Sequence, residues 1–163
     1  MPSLLDTYNP SVLAIPAYYV LSVLPHSYAL SVATQGKVLE WDNRNPRSST
    51  MKAKLKDRLD ADTFALYERA EACHANGMEN LPLFAAAVIL GNLAGLKKEG
   101  LGGMTGFAGT YLAMRLAYTA VYLTTKTQGP TVLRSGLWVA GFSLCFRIIF
   151  KAAKALGGEK AGF

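Results

Sequence analysis

The sequence is poor in charged residues and in cysteine. Charged side chains make up 17% of its 163 residues and hydrophobic ones 51%, which is an apolar balance for a soluble domain. The two cysteines, Cys73 and Cys145, lie far apart in segments with helical patterns. We therefore expect free thiols rather than a disulfide, and no metal-ligand spacing is present. The length predicts a single domain over residues 1–163.

The stretch from Ser11 to Thr34 carries His26 but no Asp, Glu, Lys or Arg, and it is long enough to cross about 30 Å of hydrocarbon. The stretch has neither a basic region before it nor an Ala-x-Ala-like site after it, so we expect a retained helix rather than a cleaved signal peptide. The net charge of +6 is compatible with nucleic-acid binding, but the basic residues lie mostly in loops and in the tail. We therefore expect membrane lipids, and no nucleic acid, as partners.

Glycine and proline divide the chain into four hydrophobic blocks. Gly100, Gly102 and Gly103 separate the second block from the third, and Gly129 and Pro130 separate the third from the fourth, because these residues interrupt helices. Small residues recur along the blocks, which favours close packing in a bilayer. The pattern predicts an all-α fold, an up-down bundle of four transmembrane helices. The predicted spans are about residues 11–34, 62–96, 101–125 and 131–156.

One long connection, from Gln35 to Ala61, is polar and rich in charge. Its excess of Lys and Arg favours a cytosolic position, whereas the basic tail around Lys151 and Lys154, on the opposite side, argues for the reverse orientation. Near the end of this connection, Asp60 or Asp62 is expected to cap the second long helix.

The predicted second long helix carries a polar face near its start. Arg69, Asn76 and Glu79 are separated by seven and three residues, so they lie on one face. Polar groups at the end of a membrane helix indicate a site for a polar ligand, although solvated charges at a helix end give the same pattern. His74 points away from this face, as a packing residue would.

The predicted third long helix carries a stripe of Tyr111, Arg115, Tyr118 and Tyr122. A tyrosine stripe alone is usual in a core or at a membrane interface. An arginine inside a membrane segment needs an anionic partner, and Glu79 is the candidate. Such a pair can equally be structural, joining the two helices.

Arg134 and Ser135 follow the turn that opens the fourth block. In an up-down bundle, the start of the second long helix, the end of the third and the start of the fourth lie on the side of the long connection. The polar residues of all three helices are therefore expected to converge there.

These residues resemble two motifs of the MAPEG family, the membrane-associated proteins in eicosanoid and glutathione metabolism. The resemblance covers residues 11–156. The matching residues are Glu68-Arg69, His74-x-Asn76-x-x-Glu79-Asn80, Pro82 and Phe84, then Arg115-x-x-Tyr118-Thr119-x-x-Tyr122, and Arg134-Ser135. The resemblance implies a homotrimer in the endoplasmic reticulum or another intracellular membrane, with glutathione as co-substrate and a lipophilic small molecule as second substrate. It also implies an active site that faces the cytosol.

By resemblance, glutathione is held by a set of polar residues and activated by a second set. The residues implied in binding are Arg69, Asn76, Glu79, Arg115, Tyr118 and Tyr122. The residues implied in catalysis are Arg134, Ser135 and Tyr118. A free thiol has a pKa of about 8.5, and a nearby guanidinium such as that of Arg134 stabilises the thiolate nucleophile. Ser135 can donate a hydrogen bond to the same sulfur.

The chain departs from the family pattern at Ala72, where many enzymatic members carry an arginine that binds a glutathione carboxylate. Arg69, Lys37 and Arg44 are candidates to replace it. Trp138 stands where some members have a tyrosine.

The sequence is compatible with three functions. The first is a membrane-bound glutathione transferase or peroxidase acting on lipophilic electrophiles or hydroperoxides. The second is a glutathione-independent isomerase or cyclase that would use Arg134, Tyr118 and Glu79 as acid–base groups. The third is a non-catalytic lipid-binding protein on the same scaffold.

Overall fold

The computed structural model describes residues 7–46 and 48–158. Within these ranges the chain forms α-helices and one short 3-10 turn at Val38–Glu40, and no β-strand. The helices are α1 Pro10–Ala33, α2 Ser49–Arg58, α3 Ala61–Leu93, α4 Met104–Thr124 and α5 Thr131–Gly158.

The four long helices α1, α3, α4 and α5 coincide with the four hydrophobic blocks, and each boundary lies within three residues of its predicted position. Asp60 is the N-cap of α3, since its carboxylate accepts a hydrogen bond from the Thr63 backbone at 3.0 Å. The hydrogen bonds from Thr63 hold the pKa of Asp60 below its usual range. Between α3 and α4, Gly95 and Gly100 adopt positive φ angles of 65° and 83°, a region that favours glycine.

Helix α2 lies within the long polar connection and is not among the predicted elements. Ser48 caps it by accepting a hydrogen bond from the Met51 backbone at 3.1 Å. Leu55 and the following Leu59 are buried in a cluster that includes Tyr67 of α3. Helix α2 therefore covers the ends of α1 and α3 on the side of the long connection.

Helices α1 and α3 run antiparallel, as their contacts show. Tyr18 of α1 donates a hydrogen bond to the Gly77 carbonyl of α3, and His26, further along α1, contacts Glu71, which comes earlier in α3. The absence of a side chain at Gly77 allows this close approach, because a Cβ there would lie 2.8 Å from the Ser22 side chain.

The centre of the bundle is aromatic and fully packed. Phe84 stacks on Tyr111 with 4.3 Å between ring centroids, and Tyr18 meets both rings edge-on at 5.4 and 5.2 Å. All three side chains are at most 2% exposed. The stack joins α1, α3 and α4 and fixes the rotation of each helix about its axis.

Helix α5 carries an aromatic ladder on its surface, defined here as Trp138, Phe142, Phe146 and Phe150. Successive ring centroids lie 5.0, 5.4 and 6.4 Å apart. The spacing of four residues places the rings on one face, and Phe150 at the far end is 72% exposed.

Helices α1 and α5 are long and apolar enough to cross a membrane, as judged by length and composition. Helix α3 has an apolar second half, but its first half carries charged residues, among them Glu68, Arg69 and Glu71.

Candidate active site

Five of the predicted site residues line one small cavity between α3, α4 and α5, called here the Arg134 cavity. Its volume is about 350 Å³. It is lined by Asn76, Tyr118, Tyr122, Arg134, Ser135, Trp138 and Val139. The predicted convergence of three helix ends on one side of the bundle accounts for this grouping.

The Arg134 guanidinium lies over the Tyr122 ring, with 4.3 Å between Cζ and the ring centroid. The rings of Tyr122 and Tyr118 pack edge-to-face at 5.5 Å. Arg134 forms no ion pair with another described residue. Because an aromatic face fixes a guanidinium without using its N–H donors, Arg134 is held in place with its donors available to a ligand.

Arg115 is only 4% exposed and lies behind Asn76. Its Nη2 donates a hydrogen bond to Asn76 Oδ1 at 3.0 Å, and its Cζ lies 4.3 Å from the Tyr118 ring centroid and 5.5 Å from that of Tyr18. Its buried Nε has no hydrogen-bond partner in the described part of the chain. Arg115 therefore orients Asn76, whose Oδ1 is occupied and whose amide NH₂ can donate elsewhere.

The expected ion pair between Arg115 and Glu79 is not formed among the described residues. Glu79 is exposed on α3. Asn76, three residues earlier, faces α4, and its Oδ1 accepts the hydrogen bond from Arg115. Glu79 does not line the Arg134 cavity. Arg115 does not line it either and reaches it only through Asn76.

A larger cavity of about 780 Å³, called here the loop-side cavity, lies next to the Arg134 cavity and shares Tyr122 and Arg134 with it. Its volume is within the range typical of small-molecule sites. Arg69 and Ala72 of α3 line it, and Arg69 Nε also donates a hydrogen bond to the Leu123 carbonyl at 3.3 Å.

The three candidates to replace the arginine absent at Ala72 differ in position. Arg69 lines the same cavity as Ala72. Arg44 is engaged by Asp42 in a two-pronged ion pair with N–O distances of 2.9 and 3.0 Å, and its guanidinium lowers the pKa of Asp42 to about 2. Lys37 pairs with Glu40 at 3.6 Å. Neither Arg44 nor Lys37 lines the loop-side cavity, so Arg69 is the one of the three candidates that does.

Sequence reasoning missed two polar pairs at the wall of the loop-side cavity. His26 Nδ1 lies 2.7 Å from Glu71 Oε1, and Lys52 Nζ of α2 lies 2.7 Å from Glu68 Oε1. All four residues line the cavity. Their one signal in the sequence is that His26 interrupts a stretch without acidic or basic residues and that two acidic residues recur three apart on α3.

His74 is a packing residue, in agreement with the sequence interpretation. Its Nδ1 donates a hydrogen bond to the Ser22 carbonyl of α1 at 2.8 Å. Cys73 and Cys145 are both buried free thiols, as expected. Within residues 7–46 and 48–158, no group of three His, Cys, Asp or Glu side chains could hold a metal ion.

The model of the MAPEG family matches residues 12–154, nearly the whole chain. No curated protein and no solved structure matches the chain. The chain therefore belongs to the MAPEG family, and together with the two apolar helices α1 and α5 this indicates an integral membrane protein.

Proposed function

We propose that the protein is a membrane-bound glutathione transferase or peroxidase that activates the glutathione thiolate against a lipophilic electrophile or hydroperoxide. The family includes glutathione transferases, peroxidases and isomerases. The observation that carries the proposal is the Arg134 guanidinium, held over Tyr122 and beside Ser135 in the Arg134 cavity.

The chemistry of this cavity suits thiol activation. The thiolate is the nucleophile, and a thiol with a pKa of about 8.5 is mostly protonated at neutral pH. The Arg134 guanidinium would stabilise the thiolate, and the Ser135 hydroxyl would donate to the same sulfur. In conjugation the S–C bond forms as the leaving group departs. In peroxide reduction two glutathione molecules and ROOH give the disulfide, ROH and water.

The donors around the two cavities suit an anionic co-substrate. Asn76 presents its amide NH₂, and Arg69 lines the adjoining loop-side cavity. Arg115 is buried without a carboxylate partner among the described side chains, and a buried charge without a counterion is costly. Bound glutathione, which carries two carboxylates, would offset that cost. In this proposal Tyr118 and Tyr122 supply the remaining contacts.

The same proposal includes four membrane spans and a homotrimer, in an intracellular membrane such as the endoplasmic reticulum and with the site facing the cytosol. Helix α3 has 33 residues and is about 50 Å long, which exceeds the roughly 30 Å of hydrocarbon. Its charged first half would extend beyond the membrane beside α2. Glu79 is exposed on α3 and in a trimer would face a neighbouring subunit, where it could contact glutathione.

A second candidate function rests on Ala72. Its methyl group lines the loop-side cavity where a guanidinium would otherwise bind a glutathione carboxylate. A site with weakened glutathione affinity is compatible with a glutathione-independent isomerase or cyclase, in which Arg134 and Tyr118 act on the hydrophobic substrate itself, or with non-catalytic lipid binding.

The test is glutathione binding by the detergent-solubilised protein, measured by calorimetry together with the ultraviolet thiolate band. We expect saturable binding and a thiolate band at neutral pH. Arg134→Ala should remove the band and lower the rate of conjugation with 1-chloro-2,4-dinitrobenzene by about 100-fold, or about 2.7 kcal/mol of transition-state stabilisation. Arg147→Ala is the matched control, because Arg147 is exposed on the same helix and lines neither cavity.

Absence of glutathione binding at millimolar concentration would reject the proposal and favour the second candidate. Binding with a thiolate band that survives Arg134→Ala would keep the function and remove Arg134 from its mechanism.

A further inference from the structure

His26 and Glu71 form a carboxylate–imidazole pair at the wall of the loop-side cavity. His26 Nδ1 and Glu71 Oε1 are 2.7 Å apart, and the two side chains are 33% and 26% exposed. An ionised carboxylate can only accept a hydrogen bond, so Nδ1 of His26 carries the hydrogen. With Nδ1–H engaged by Glu71, Nε2 is the ring nitrogen that can accept a proton from a ligand, and it has no hydrogen-bond partner among the described residues. A base oriented by a carboxylate in this way is the arrangement that general-base catalysis uses.

This pair is not needed to hold α1 against α3. Nearby, Tyr18 donates a buried hydrogen bond to the Gly77 carbonyl at 3.1 Å, and His74 donates to the Ser22 carbonyl at 2.8 Å. Those contacts face the packed interface, whereas His26 and Glu71 line the cavity and His74 does not. An ion pair between partly exposed side chains contributes little to the free energy of unfolding. The position of this pair at the cavity therefore indicates a role other than a structural one.

The pair lines the same cavity as the proposed site of thiol activation, because Tyr122 and Arg134 also line the loop-side cavity. The charged and titratable groups around His26 are Glu71, Glu68, Arg69 and Tyr67 of α3, Lys52 of α2, Tyr122 of α4, Arg134 of α5, and the His74 ring, whose centroid lies 5.0 Å from that of His26. Glu68 is already paired with Lys52 at 2.7 Å. Glu71 is therefore the carboxylate available to orient His26.

We propose that His26 is a catalytic base and acid in this cavity and that Glu71 is its positioning residue. The inference rests on the proposed function. His26 Nε2 accepts the proton of the glutathione S–H, directly or through one water, and the thiolate forms beside Arg134. With a hydroperoxide, the thiolate attacks the distal oxygen, the S–O bond forms and the O–O bond breaks. Sulfur is thereby oxidised and the peroxide reduced.

The alkoxide RO⁻ that leaves then takes the proton back from the imidazolium, which gives ROH and restores neutral His26. The glutathione sulfenic acid reacts with a second glutathione to form the disulfide and water. Conjugation of 1-chloro-2,4-dinitrobenzene requires only the first proton transfer, because chloride leaves without a proton. The two substrates thus separate the roles of His26 as base and as acid.

The decisive variant is His26→Asn. The Asn amide can replace Nδ1–H as donor to Glu71 and thereby keep the contact between α1 and α3, but it cannot take up a proton. At neutral pH we expect turnover of cumene hydroperoxide to fall about 100-fold and that of 1-chloro-2,4-dinitrobenzene about tenfold, with glutathione binding unchanged. Both losses should shrink as the pH rises, because hydroxide in solution can then take the proton of the bound thiol in place of His26.

His74→Asn is the matched control. It alters the neighbouring imidazole on the facing helix, outside the cavity, and should leave both rates and their pH dependence unchanged. His26→Ala with added imidazole provides a second test, since restored turnover would identify a missing base rather than a damaged fold. Glu71→Gln should give an intermediate loss, because Gln retains an acceptor for Nδ1–H.

The outcomes separate the two proposals. Turnover of both substrates by His26→Asn at the wild-type rate overturns this inference and leaves the transferase function standing. A loss that is equal for both substrates and independent of pH also overturns it, because a structural defect predicts that pattern. Wild-type protein that neither binds glutathione nor turns over either substrate overturns the proposed function and this inference together.

Discussion

Two guanidinium groups occupy adjacent regions of the molecule with the same aromatic geometry and different surroundings. Arg115 lies 4.3 Å from the ring centroid of Tyr118 and is only 4% exposed, while Arg134 lies 4.3 Å from the ring centroid of Tyr122 at the wall of two cavities. Arg115 uses one donor on Asn76, whereas Arg134 keeps its donors for a ligand. The aromatic contact fixes the position of each guanidinium. In the proposed function, the difference in accessibility gives Arg115 a supporting role and Arg134 a direct one.

Replacing the buried Arg115 should have the largest effect on glutathione binding. Arg115→Met should weaken glutathione binding about tenfold, equivalent to about 1.4 kcal/mol, because Asn76 loses the group that orients it. The free energy of unfolding in detergent should change by less than about 1 kcal/mol, since an apolar side chain of similar length avoids the cost of burying a charge. Calorimetry and chemical denaturation measure the two quantities.

The control for this variant is Leu116→Met, at an exposed position on the same helix. If Arg115→Met fails to fold while the control folds, Arg115 holds the bundle together and does not act mainly on the site.

A third guanidinium can be introduced into the loop-side cavity. Ala72→Arg places a cation in the loop-side cavity beside Arg69 and should tighten glutathione binding about fivefold, or about 1 kcal/mol for a partly exposed charge-assisted hydrogen bond. Calorimetry at low and high salt should show that the gain decreases with ionic strength. The neighbouring exposed position Ala75→Arg is the control. Equal gains in both variants would indicate a general charge effect rather than a specific contact.

Removing the ring beneath Arg134 should have the smallest effect. Tyr122→Leu leaves the guanidinium in place but without its aromatic support, a contact worth about 0.5–1 kcal/mol. We expect the rate of glutathione conjugation to fall about threefold at unchanged stability. Tyr122→Phe retains the ring beneath Arg134, so its conjugation rate at saturating glutathione should match that of the wild type. A large loss in Tyr122→Phe would mean that the hydroxyl, and not the ring face, is what matters.

The sequence was sufficient to predict the four long helices and the meeting of Asn76, Tyr118, Tyr122 and Arg134. The apolar blocks end at glycine and proline, and once the helices alternate in direction their polar ends must lie on one side. The partner of Arg115 could not be predicted, because Asn76 and Glu79 lie within one turn of each other and only the rotation of α3 decides which one faces α4.

Two other features were beyond sequence reasoning for different reasons. Helix α2 is polar and buries only Leu55, so hydrophobic periodicity gives almost no signal for it. The contact between His26 and Glu71 joins residues 45 apart in the chain and depends on the rotation of two helices that the aromatic stack of Tyr18, Phe84 and Tyr111 fixes.

The aromatic ladder on α5 has a consequence for how the proposed activity must be measured. Trp138 belongs both to the ladder and to the Arg134 cavity. In the proposed function, a lipophilic reactant dissolved in the surrounding apolar phase would reach the thiolate along this row of aromatic side chains. The reactant concentration that governs turnover is then its mole fraction in detergent or lipid, not its molarity in water. An apparent KM expressed per litre should rise in proportion to added detergent, while the same constant expressed as a mole fraction should stay fixed.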